Sequence, residues 1–126
     1  MVTKSARGFT LIELLVVLAV LGLLLSLAAP KYVRSVDNAK EAVLAENLRT
    51  TRDAIDRFRA DRGRYPASLD ELVVRRYLRS LPIDPLVGNA TAWRMVAVAQ
   101  EGEVGIMDLR SRAPGVGRNG QPYAQW

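Results

Sequence analysis

The chain has 126 residues, room for one small domain and not two. It carries 18 Lys and Arg against 13 Asp and Glu, a formal charge of +5, yet no charged residue falls between Leu14 and Ala29. It contains neither Cys nor His, which excludes disulfides and thiolate metal sites and removes the commonest general base from any catalytic reading. The arginines are scattered, with no basic block interleaved with aromatics, so no nucleic-acid partner is expected.

The first element follows Lys4 and Arg7. Residues 9–29 form an apolar run of roughly 31 Å as a helix, matching a bilayer core of about 30 Å. Glu13 sits inside it. A charge well within such a helix costs about 2.5–3.5 kcal/mol on insertion scales, so the carboxylate implies a partner. A secretory signal peptide explains the basic start and the small residues Ser26, Ala28 and Ala29. It does not explain a run longer than about 7–15 residues, or Pro30 beside the cut. A plain anchor explains the length but not Glu13. Scission between Gly8 and Phe9 explains both. Phe9 then carries a free α-amino group one helical turn from Glu13, the fifth residue of the new chain. That amine, or one on a neighbouring helix, supplies the cation, and a helix N-terminus itself favours a negative side chain.

The stretch "KSARGFTLIELLVVLAVLG" resembles the class III signal of type IV prepilins and type II secretion pseudopilins, in Gly8, Phe9, Thr10, Leu11, Glu13 and the unbroken apolar run. The resemblance implies a leader of residues 1–8, cleavage by a membrane prepilin peptidase, N-methylation of Phe9 and an assembly role for Glu13. Residues 9–30 would be the transmembrane and polymerisation helix.

Pro30 lacks an N–H and clashes with the preceding turn, which predicts a kink. Helical periodicity resumes over residues 31–63. Val33, Val36, Val43, Leu44, Leu48, Thr51, Ile55 and Phe58 share one face, interrupted by Lys40 and Asn47. Opposite them, Arg49–Asp53, Arg52–Asp56, Asp53–Arg57 and Arg57–Asp61 are spaced for pairing along a solvated face. Gly63 is the expected stop.

Residues 64–126 make the head. Ser68 and Glu71 form a capping-box signature opening a short helix through about Arg76. "YLRSLPIDPLVG" reads as loop, with Asp84-Pro85 a turn. Residues 93–99 and 104–109 are the strand candidates, joined by a tight turn containing Gly102. The expected fold class is α+β: a long N-terminal helix, membrane half plus amphipathic half, packed by a short helix and an antiparallel hairpin. Tyr123 and Trp126 are expected to pin the tail.

This order of elements resembles the major pseudopilin of type II secretion, with a type IV pilin-like fold. The resemblance implies a structural subunit; without His or Cys, and with no acidic pair or glycine-rich phosphate loop, no enzyme and neither catalytic nor cofactor residues are expected. It would be a single-pass inner-membrane protein with a periplasmic head. Its partners would be further copies of itself in a helical filament, the prepilin peptidase, the inner-membrane assembly platform and minor pseudopilins. A type IV pilin or minor pseudopilin, for adhesion, motility or DNA uptake, is the alternative. An uncleaved anchored module is a third class. The family resemblance also implies calcium held by an acidic C-terminal loop. Here "RSRAPGVGRNGQPYAQW" has no carboxylate after Asp108, leaving Asp108 and Ser111 as the weak ligand candidates. Arg112 or Arg118 bonding loop carbonyls is the substitute to expect.

Overall fold

The computed structural model describes residues 6–90 and 93–126; Lys4 and the rest of residues 1–5 of the expected leader lie outside them. The element order is α1 (Leu11–Arg62), α2 (Leu69–Val74), β1 (Trp93–Ala97), β2 (Ile106–Ser111) and a 3-10 turn at Tyr123–Gln125. The fold is thus the α+β arrangement that the sequence implies. The chain divides into two compact units, one up to Asp37 and one spanning Asn38–Trp126.

In the first unit α1 is apolar, with a mean hydropathy of 2.8 over its most apolar window and none of that window buried. It is long and apolar enough to cross a membrane. The hydroxyl of Ser26 donates to the carbonyl of Gly22 at 2.9 Å, so this polar group is satisfied within the helix. Helix continues through Pro30.

In the second unit α1 buries Leu44, Leu48, Thr51, Ala54, Ile55 and Phe58, spaced at helical period. Against this stripe pack Leu69, Leu72, Leu78, Trp93 and Leu109, forming the core of the head. The buried part of the expected face begins only at Leu44, since Val43 is exposed. Asn47, a polar intruder on that face, donates to the carbonyl of Ile83 at 2.8 Å and fixes the proline-rich loop to α1. The indole of Trp93 fixes the same loop by donating to the Pro82 carbonyl at 2.8 Å.

α1 stops at Gly63, whose φ of +69° is accessible to glycine. Ser68 caps α2 by accepting the Glu71 N–H, while the Glu71 carboxylate accepts the Ala67 N–H at 2.8 Å. α2 ends earlier than Arg76. Tyr77 N–H bonds the Leu72 carbonyl and Arg76 N–H bonds the Val73 carbonyl, a Schellman closure with Arg76 at φ +65°.

β1 and β2 pair antiparallel, Trp93 opposite Ser111 and Met95 opposite Leu109, with a register shift after Val96. β2 starts two residues later than the periodicity predicts and runs on to Ser111. The cause is Gly105, where a Cβ would lie 2.7 Å from the Cβ of Tyr65, and where φ is +151°. The next residue, Ile106, donates to the Pro66 carbonyl at 2.8 Å, so pairing begins where the chain docks.

Candidate processing and assembly site

Residues 6–10 are exposed and adopt no regular structure, and α1 begins at Leu11. The Gly8–Phe9 bond therefore lies in accessible, non-helical backbone. Phe9 is 87% exposed, and apart from its chain neighbours nothing described lies within 4 Å of where a Cβ on Gly8 would be. Thr10 and Glu13 are tied reciprocally: the Thr10 N–H donates to Glu13 Oε2 at 2.8 Å, and the Glu13 N–H donates to Thr10 Oγ1 at 3.3 Å. This is a capping box, which satisfies two of the orphan donors of the first turn.

The carboxylate thus has a local partner beyond the amine expected from the sequence. The signal was present, as Thr-Leu-Ile-Glu has the same spacing as Ser68–Glu71. Glu13 also borders a shallow apolar groove with Phe9, Ile12, Val16 and Val17. The single charge of the run therefore lies at the mouth of an apolar surface, oriented by its own helix cap.

The cation candidates are placed differently. Asp108 and Ser111 are three residues apart on β2, an odd interval that puts their side chains on opposite faces of the strand. Asp108 accepts from Arg52 Nε at 2.7 Å, in a half-buried ion pair. Ser111 donates its hydroxyl to the fully buried carboxylate of Asp84. Asp84 also accepts the N–H groups of Leu86 at 2.9 Å and Val87 at 3.4 Å. Among the described residues no group of three or more acidic side chains is placed to hold a metal ion. A calcium ion wants six to eight converging oxygens, and these two residues are committed elsewhere, so the donor set does not fit the ion. Arg52 reaches Asp108 rather than the Asp56 suggested by helical spacing. Arg49 does contact Asp53, at 3.6 Å.

An exposed non-helical segment, a capped apolar helix and a small α+β head define the class: a prepilin-like subunit. Residues 3–29 match the family described as "Prokaryotic N-terminal methylation motif". The chain is 30% identical to the type II secretion system core protein G of Klebsiella pneumoniae over 122 residues, covering 84% of this chain and 85% of that protein. It is 32% identical to the core protein G of Pseudomonas aeruginosa, covering 65% and 69%. It is also 32% identical to the type IV major pilin protein PilA of Myxococcus xanthus, covering 87% of this chain but 46% of that pilin. No solved structure matches the chain. The chain belongs to the type II secretion system core protein G family.

Proposed function

We infer that this chain is the repeating structural subunit, the major pseudopilin, of a type II secretion filament, and that it works by assembly rather than catalysis. The observation that carries this is the exposed Gly8–Phe9 bond placed directly before the Thr10–Glu13 cap of an apolar helix. In this reading a prepilin peptidase cuts between Gly8 and Phe9, and the new amine on Phe9 is methylated. The subunit waits in the inner membrane with its head in the periplasm. There the assembly platform and minor pseudopilins recruit it into a helical filament that drives proteins through the outer membrane.

Glu13 supplies the chemistry of recruitment. A carboxylate in hydrocarbon is costly unless a cation meets it, and the Phe9 amine of a neighbouring subunit is the cation that assembly provides. Its cap bond to Thr10 holds the carboxylate in a defined direction beforehand. Pro30 deprives the Ser26 carbonyl of a helical donor, making it the place where the helix kinks or opens during packing.

The test is intact and N-terminal mass analysis of the membrane-extracted chain, with and without co-expressed prepilin peptidase. A chain beginning at methylated Phe9 only when the peptidase is present is the expected result. A chain beginning after Ala28, or keeping Met1 beside the active peptidase, overturns the reading. The match to PilA favours one second reading, a type IV pilin, in which processing is identical but the filament reaches the cell surface.

A further inference from the structure

The segment after β2 has no acidic side chain, yet it is closed. Several of its carbonyl oxygens accept from protein donors. Tyr123 N–H bonds Gly115 at 3.2 Å, Gly120 N–H bonds Gly117 at 3.0 Å, and Gly117 N–H bonds Gln121 at 2.9 Å. The Arg94 guanidinium donates to the Ala124 carbonyl at 2.7 Å. An arginine therefore does serve the tail, but it comes from β1 and is neither Arg112 nor Arg118.

The link to α1 is made by Glu41, one helical turn before Leu44, where the buried stripe begins. Its Oε1 accepts the Tyr123 hydroxyl at 2.6 Å, and the same carboxylate accepts the Arg118 N–H at 3.2 Å. Tyr123 in turn packs edge-to-face on Trp126, with ring centroids 5.3 Å apart. We propose that Glu41 is a metal-free latch for the C-terminal tail, an anion on the helix that gathers O–H and N–H donors from the loop. A calcium site fastens a loop by the opposite polarity, a cation gathering oxygens, and among the described residues no group of acidic side chains is placed to hold one. Charge-assisted bonds of this kind are about twice as strong as neutral ones, and both donors come from one short stretch of tail. Closure of the head is therefore independent of divalent cations.

Amide hydrogen exchange of the full chain in detergent micelles, read by mass spectrometry on peptides covering residues 112–126, tests this. Exchange of the tail is expected to be unchanged by EDTA or by added calcium, and to rise about tenfold in Glu41→Ala, while peptides covering residues 44–58 stay protected. Tyr123→Phe, which removes only the hydroxyl, is expected to give part of that rise, and to add little in the Glu41→Ala background. Loosening of the wild-type tail by EDTA, or a tail unaffected by both substitutions, overturns the proposal. These readouts are taken on the isolated chain, so they stand or fall separately from processing and filament assembly.

Discussion

The hydroxyl of Ser111, the last residue of β2, donates to the buried carboxylate of Asp84, in the loop that precedes β1. The two residues are 27 positions apart, and the same Ser111 Oγ accepts the Ala113 N–H at 3.0 Å. A carboxyl group with no exposed surface is stable only while its oxygens have hydrogen-bond partners. Ser111→Ala leaves one Asp84 oxygen without its partner in a site closed to water. The expected loss is about 1–3 kcal/mol of head stability. Asp84→Ala should cost at least as much, because Leu86, Val87 and Ser111 all lose an acceptor. Chemical denaturation of the full chain in micelles, followed by tryptophan fluorescence of Trp93, measures both, and an unchanged midpoint in either variant contradicts the account.

Glu71 gives the head an acid-sensitive joint. The Arg64 guanidinium, with the Ala67 N–H beside it, holds the Glu71 carboxyl well below its ordinary 4.5, at about 2. A carboxyl whose folded pKa is depressed adds stability above its unfolded pKa and loses it as pH falls through the folded value. The contribution of Glu71 is therefore complete above pH about 4.5 and declines between there and about 2. Wild type and Glu71→Gln should differ in melting temperature near neutrality and converge in acid. Parallel curves across that window would show that the ion pair does not carry the dependence.

Arg76 occupies the left-handed position of the α2 closure, where glycine is the usual residue. Its side chain is exposed, so little packing is lost on truncation. A non-glycine residue there costs about 1–2 kcal/mol, partly offset by the greater freedom of glycine in the unfolded chain. Arg76→Gly is expected to stabilise the head by about 0.5–1 kcal/mol, and Arg76→Val to destabilise it. Thermal unfolding of the pair checks the sign of each.

Where the sequence was legible, the determinant was local. Gly63 as the stop of α1 and Ser68 as the cap of α2 depend on neighbours within a turn, and both stand in the fold as read. Thr10–Glu13 is equally local, but a carboxylate in an apolar run has two physical readings, a charge in lipid and the fourth residue of a cap, and the second depends on where the helix starts. The remaining misses are long-range. Nothing near Arg52 distinguishes Asp56 from Asp108, 56 residues away, and Asp84-Pro85 reads as a solvent turn until Ser111 is known to cover it. Glu41 has the same history, since Tyr123 lies 82 positions further on. The shifted start of β2 was set by Tyr65 and Pro66, which no alternation pattern contains.

The Thr10–Glu13 cap separates two roles that one carboxylate can hold. As a capping residue Glu13 needs only an acceptor oxygen for the Thr10 N–H, and glutamine provides one at the same reach. As an assembly residue it needs the charge, because a neutral amide in hydrocarbon does not require an ammonium partner and holds one only by a hydrogen bond. Glu13→Gln should therefore keep the start of α1 protected while abolishing sheared filament recovered from cells that express the whole secretion apparatus. Thr10→Ala should weaken the cap instead. It removes the hydroxyl that accepts the Glu13 N–H, costs the first turn about 1 kcal/mol, and leaves the charge in place. Assembly should be reduced but not lost. Hydrogen exchange of residues 9–17 in micelles, set beside filament yield, reads the two effects independently. If Glu13→Gln assembles like wild type, the carboxylate is there for the cap alone, and the amine of Phe9 has another partner.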